Sequence, residues 1–158
     1  MMVVNLEKLP YRLGVGIILF NIKKQVFVGQ RFDMPSDAWQ MPQGGIDKDE
    51  HPVDAAWREM IEEIGTKNAA FLYESKDWYY YDLPQDLIPK LWQGRFKGQK
   101  QKWFAFKFLG QDGEINIHTS SPEFKAWQWV DLHQTPDLIV PFKKNLYQNL
   151  VKEFNQFL

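Results

Sequence analysis

The chain has 158 residues, 44% hydrophobic and 25% charged, which predicts one globular domain spanning residues 1–158 with a real core. A formal net charge of −1 excludes a general nucleic-acid coat but leaves room for a local basic patch. The lack of any cysteine removes disulfides, thiolate zinc sites and a cysteine nucleophile together.

Strand signals open the chain. Arg12–Phe20 and Gln25–Arg31 are rich in Val, Ile and Phe and predict two strands. Phe32–Ala38 reads as a loop, and Trp39–Met41 as a short strand running into a Pro42-Gln43-Gly44-Gly45 turn. A helix is predicted next. Pro52 suits its first position, Asp54 its positive end and Gly65 its stop. Val53, Ala56, Trp57, Met60, Ile61 and Ile64 cluster on the face opposite Glu59, Glu62 and Glu63, predicting a helix buried on one side and acidic on the other.

Strand-like segments follow at Phe71–Asp82 and Gln101–Leu109, with an irregular stretch from Leu83 to Lys100 between them. Ile115–His118 and Ala126–Val130 also read as strands. Phe142, Leu146, Leu150, Phe154 and Leu158 recur every four residues and predict a C-terminal amphipathic helix. Strands flanking one early helix and preceding one late one predict a mixed α/β sandwich.

The chemistry concentrates in Gly44 to Gly65, which carries seven acidic residues against Lys48 and Arg58. At about 100° per residue, Glu59, Glu62 and Glu63 share an arc of one helix face. Like charges at that spacing cost an isolated helix roughly 0.2–0.5 kcal/mol per pair. A helix that keeps them has a use for a cation, and hard divalent ions take carboxylate oxygens together with substrate phosphates. Arg58, four residues before Glu62, can pair with it. Asp47 and Asp49 do not make a calcium loop, because Pro52 stands where that loop requires glycine.

Written as a pattern, Gly44, five residues, Glu50, seven residues, Arg58-Glu59-Met60, Ile61, Glu62-Glu63, Ile64, Gly65 resembles the Nudix box, G-x5-E-x7-REU-x-EE-x-G-U with U apolar. Only the last position departs, where Thr66 replaces the apolar residue. Tyr11-Arg12, Gly14-Val15-Gly16, Trp39 to Gly45, Gly98 to Phe104, Pro122-Glu123-Phe124 and Pro141-Phe142-Lys143 extend the resemblance to one branch of that family. That branch holds the bacterial RNA pyrophosphohydrolases and the similar diadenosine polyphosphate hydrolases. The resemblance implies an α/β/α sandwich with a loop–helix–loop that binds Mg²⁺ or Mn²⁺. It implies Glu59, Glu62, Glu63 and Glu123 as metal ligands, with Gly44 letting the backbone approach closely. It also implies Glu59 as the residue that activates water, with Glu123 as rival, while Arg58 and Glu50 orient the site. Arg12, Arg31, Gln43, Gly45, Lys100, Lys102, Phe142 and Lys143 fall at positions implied to contact phosphates and first bases.

From Leu87 to Gln111 there is no acidic residue, while Lys90, Arg95, Lys97, Lys100, Lys102 and Lys107 alternate with aromatics. This window is a candidate phosphate-facing patch with stacking platforms. Trp103, Phe104, Phe106 and Phe108 read rather as core, Trp92 and Phe96 fit either role, and the three histidines read as surface. The longest apolar run, Leu13 to Phe20, is too short to span a bilayer, and no leader pattern opens the chain. The expectation is a cytoplasmic protein with no membrane and no stable protein partner. The function expected is hydrolysis within a 5′ polyphosphate, on RNA 5′ ends or dinucleoside polyphosphates. Clean-up of damaged nucleoside triphosphates and non-catalytic ligand sensing are the alternatives.

Overall fold

The computed structural model describes residues 5–33 and 37–158; part of the expected loop Phe32–Ala38 therefore lies outside the described residues. The described residues form a seven-stranded mixed sheet. Its strands are β1 (Tyr11–Phe20), β2 (Val26–Arg31), β3 (Gln43–Gly45), β4 (Ala69–Glu74), β5 (Tyr79–Asp82), β6 (Gly98–Phe108) and β7 (Phe124–Val130). The spatial order is β4-β6-β1-β2-β7, with β3 added to β1 and β5 added to β6. β1 and β6 run parallel along the whole of β1, and every other pairing is antiparallel. Helix α1 (Pro52–Ile64) covers one face; the short α2 (Thr135–Leu138) and α3 (Lys144–Phe154) cover the other.

The two faces follow from strand alternation. Val15, Ile17 and Leu19 point to α1 and pack with Ala55, Ala56, Met60, Ile64, Phe104 and Phe106. Ile18 and Phe20 point the other way, to Trp103, Leu146, Tyr147, Leu150 and Phe154. A fully buried Leu or Phe contributes about 1.5–3 kcal/mol, so both helices are held chiefly by these faces. α3 is also clipped to the sheet by Glu153, which accepts from the Tyr73 hydroxyl at 2.7 Å, the Tyr79 hydroxyl and the Lys76 N–H at 2.8 Å.

β1 and β2 touch only at Phe20↔Val26 and then splay apart. The gap is filled by the bridge Gly29↔Gln40 and by β3. The segment in the gap is tied to α3, because the Met41 N–H donates to the Tyr147 hydroxyl at 2.9 Å.

Several expectations need correction. Trp39–Met41 is not a strand beyond the Gln40 bridge, and the predicted turn at Gln43–Gly45 is strand β3, paired antiparallel with Gly14, Val15 and Gly16 of β1. Phe71–Asp82 is two strands separated by a turn in which Ser75 hydrogen-bonds the Asp77 carbonyl. Ile115–His118 is irregular; its Ile115 and Ile117 anchor a loop to the α1-side core instead of pairing. α1 ends as expected, at Gly65 with φ 79°. Its faces do not divide as expected: Ile61 is 45% exposed, whereas Glu59 and Glu63 are buried. No helix among the described residues is long and apolar enough to cross a membrane.

Candidate active site

The candidate site lies where α1 crosses the gap between the splayed strands. β3 pairs with β1 as Gly16↔Gln43, Val15↔Gly44 and Gly14↔Gly45. Alternation therefore turns Gly44 toward α1, and Gln43 and Gly45 toward the α3 side. A Cβ on Gly44 would stand inside the Glu59 carboxyl, so only glycine admits that side chain beneath the strand. This is why the acidic face of the helix is partly buried: β3 supplies no side chain to exclude it.

Arg58 organises the helix and its leading loop. It grips Glu50 with two donors, Nε to Oε2 at 2.9 Å and Nη2 to Oε1 at 3.0 Å. Nη2 also reaches the Gly45 carbonyl at 2.8 Å, while Nη1 reaches Glu59 at 2.9 Å and Glu62 at 3.3 Å. These bonds hold the Glu50 carboxyl below its ordinary range. Five contacts from one planar guanidinium fix loop, strand and helix relative to one another, a task its fork geometry suits.

Glu59 and Glu63 lie one turn apart, 6% and 2% exposed. Burial pushes Glu59 up to about 7 against the pull of Arg58. Burial also pushes Glu63 well above its ordinary range, and the neighbouring Glu123 carboxyl pushes the same way. Between two ionised carboxylates no hydrogen bond can form, and neither oxygen of Glu63 has a donor. Such a carboxyl is satisfied only when a proton or a cation reaches it. Glu62 is exposed, and Glu123 is half-buried with its Oε2 3.4 Å from Arg31.

Among the described residues no three acidic or histidine side chains already converge as a finished metal cage. Arg58 holds Glu59 and Glu62, and Arg31 holds Glu123. The donor set is nonetheless suited to a hard divalent cation: oxygen ligands only, an orphaned buried carboxyl, and a glycine cradle above Glu59.

Two cations face this acid group from the other side. Asp33 grips Arg31 with bonds of 2.7 and 2.8 Å, which push the guanidinium further up and lower the Asp33 carboxyl. Lys143 is buried, its Nζ 4.7 Å from the centre of the Tyr81 ring. Burial pulls its ammonium down to about 7, helped by Arg31 and opposed by Glu63 and Asp33.

The α3-side wall is polar. Gln101 Nε2 donates to Gln43 at 3.1 Å and to Gln99 at 2.7 Å, the Tyr81 hydroxyl donates to Gln99 at 3.2 Å, and the Trp103 indole donates to Gln101 at 2.9 Å. Arg12 lies against Gly45, with its guanidinium 5.1 Å over Trp92. Trp92 and Gln93 both take left-handed backbone angles, φ 48° and 60°, which are uncommon for non-glycine residues. Phe142 packs on Tyr81 with ring centres 6.1 Å apart.

The structure thus brings Arg12, Gln43, Gly45, Phe142 and Lys143 to one wall, and Arg31 and Glu123 to its junction with the acids. It does not bring Lys100 and Lys102 there. In the parallel register Leu13↔Lys100 and Val15↔Lys102, both lysines share the α1 side with Phe104 and Phe106. The sequence reading missed Asp33, Tyr81, Gln99 and Gln101 as site residues, whereas Trp92, open there to a stacking or a core role, lies under Arg12 at the cleft. The alternation in Gly98-Gln99-Lys100-Gln101-Lys102 was the available signal, since it must send glutamines one way and lysines the other.

Residues 10–150 match the model of the NUDIX domain. The RNA pyrophosphohydrolase of Rhodospirillum rubrum is 59% identical over 149 residues, covering 94% of this chain and 90% of that protein. The RNA pyrophosphohydrolase of Rickettsia typhi is 54% identical over 150 residues, covering 95% and 93%. Among solved structures, the E. coli dihydroneopterin triphosphate pyrophosphohydrolase superposes with a TM-score of 0.67 at 18% identity, covering 90% of this chain and 97% of that one, a likeness of fold. With its box helix, its fold and nearly its whole length matched, the chain belongs to the Nudix family.

Proposed function

We propose that this Nudix enzyme hydrolyses phosphoric anhydrides at the 5′ end of RNA, with dinucleoside polyphosphates as a second substrate class, in the cytoplasm. The observation that carries the reading is the buried pair Glu59, beneath Gly44, and Glu63, one turn on, facing a wall of cations and amides. The high identity to RNA pyrophosphohydrolases supports the RNA end as the first choice.

Nudix hydrolases generally use divalent metals, and we assign Mg²⁺, with Mn²⁺ as alternative, to Glu59, Glu62, Glu63 and Glu123. Held there, the cation supplies neutralisation of phosphate charge and makes water a better nucleophile at neutral pH. The chain's own residues do the rest. Glu59, or Glu123 in its place, takes the proton from the attacking water. Arg58 keeps Glu59 aimed while Glu50 keeps Arg58 in place. Arg31 and Lys143 meet the negative phosphates, and the Gln43–Gln101–Gln99 chain offers amides to the nucleotide. Phe142 and Arg12 bracket the space for a base. Water attacks phosphorus, the bridging P–O bond of the anhydride breaks, and the phosphate or pyrophosphate beyond it leaves, with no covalent link to the protein.

The test is turnover of 5′-triphosphate RNA and of diadenosine tetraphosphate side by side with Mg²⁺, with products weighed by mass spectrometry. Pyrophosphate or successive phosphates from RNA at the higher kcat/KM supports the reading. Faster cleavage of the dinucleotide to ATP and AMP reverses the substrate order, and silence with both overturns it.

A further inference from the structure

The lysines that the cleft wall leaves out lie among aromatic rings on the α1 face of the sheet, opposite the polar wall of Gln43, Gln99 and Gln101. α1 covers β1 and β6 only from about Val15 onward, and before that point Leu13 is 48% and Tyr80 52% exposed. Here Lys97 stands 4.7 Å from the centre of the Tyr11 ring, and Lys100 stands 5.1 Å from Trp78 and 5.7 Å from Tyr80. Lys102 lies 5.7 Å from the same Trp78, and Tyr11 meets Tyr80 edge to face at 5.1 Å. Asp82 and Glu74 are already engaged: Asp82 accepts from the Tyr11 hydroxyl, and Glu74 pairs with Lys102 at 3.6 Å, while the Lys97 ammonium donates to the Glu7 carbonyl at 3.1 Å. Among the described residues neither Lys97 nor Lys100 has a carboxylate partner.

An ammonium without a counter-ion above an exposed ring is a paired offer, a charge for a phosphate and a plane for a base. The offer repeats along Tyr11, Tyr80 and Trp78, as the backbone of a single strand repeats. It is also continuous with the proposed cleft. Arg12, on Trp92 in the cleft, has as its chain neighbour Tyr11 on the other face of the sheet, and the Lys97 N–H is tied to the Pro10 carbonyl just before it. We propose that this face carries the unpaired RNA segment that follows the 5′ end, so that a substrate rounds the start of β1 after leaving the cleft. The inference rests on the RNA-end reading above and adds a second binding surface to it. It reassigns Lys100 and Lys102 from the reacting phosphates to the body of the strand.

The experiment compares 5′-triphosphate RNAs with two and with fifteen unpaired nucleotides, on the full chain and on Trp78→Ala and Tyr80→Ala variants. The expected result is a lower KM for the longer RNA, lost by about fivefold in each variant, the lower end of what one stacking platform contributes. Turnover of the two-nucleotide RNA stays unchanged in both variants, which also shows that they are folded. Equal KM for both lengths in the unaltered chain overturns the proposal and leaves the RNA-end reading intact. Equal losses on both lengths overturn it too, as does full retention of the length effect, which would leave the patch to an acidic protein partner. Failure to turn over either RNA while diadenosine tetraphosphate is cleaved defeats the RNA-end reading itself.

Discussion

Replacing Glu63 with glutamine should make the metal-free protein more stable and the enzyme inactive. The carboxyl is 2% exposed and neither oxygen has a donor. An unsatisfied buried polar group costs roughly 1–3 kcal/mol, and more when charged. Glutamine has nearly the same shape, carries no charge and does not repel Glu59 and Glu123, so in the presence of chelator a gain of about 1–2 kcal/mol is expected. For a domain of this size that is roughly 2–8 °C in Tm. The sign of the pH dependence follows from the raised Glu63 pKa. The folded state holds its proton where the unfolded chain has released it, so the wild type loses stability as pH rises above 4.5. The variant's advantage is therefore largest near pH 8 and shrinks toward pH 5. Thermal melts at both pH values, with chelator and with Mg²⁺, read all of this. Mg²⁺ should reverse the order by stabilising the wild type more, and turnover of the variant should fall by orders of magnitude. A variant that melts lower than wild type in chelator at pH 8, or gains as much from Mg²⁺, would refute the assignment of Glu63 as a buried carboxyl awaiting a cation.

Gly44→Ala places a Cβ within the Glu59 carboxyl, and overpacking of this kind costs about 1–3 kcal/mol; turnover should fall at least tenfold, and unchanged kinetics would mean that Glu59 has room elsewhere. Arg58→Lys keeps the charge but not the fork over Glu50, Gly45 and Glu59; kcat should drop by about 10–100-fold, the range for residues that orient a metal's ligands, with little change in KM. Glu153→Gln weakens the clip that receives Tyr73, Tyr79 and the Lys76 N–H; a loss of about 1–3 kcal/mol by thermal melt is expected with kcat/KM unchanged, and a loss of activity at constant stability would contradict a purely anchoring role.

Much of this architecture is legible in the residues alone. The box spacing places α1 from Pro52 to its left-handed stop at Gly65, and the four-residue repeat from Phe142 marks α3. Two things escape such a reading, and both depend on partners distant in sequence. A helical wheel puts Glu59 and Glu63 in water; in the fold Gly44 of β3, with no side chain to fill the space beneath it, admits Glu59 to the interior, and Glu63 is buried one turn further on. Charge count alone gives Lys100 and Lys102 to the phosphate site. Alternation parts these lysines from Gln99 and Gln101, but which face each set takes is fixed by the parallel register with β1, a pairing distant in sequence that puts the lysines on the α1 face, away from the polar wall. Ile115 and Ile117 mislead for a similar reason: their alternation serves a loop that presses on the core without a neighbour to pair with.

The parallel union of β1 with β6 has a consequence for how the molecule comes into being. α1, β3, β4 and β5 all lie between the two strands in the chain. A growing polypeptide therefore exposes its acidic helix well before the central pair of the sheet can close. Contacts so distant in sequence form slowly, because the intervening loop must be closed first. Glu123, Phe142 and Lys143 arrive later still. Until they do, the glutamates remain solvated and separate, and the chain has the ligands of a catalyst without the catalyst. Activity should therefore appear in one late step of folding, after the last third of the chain has docked, and not grow in proportion to helix content.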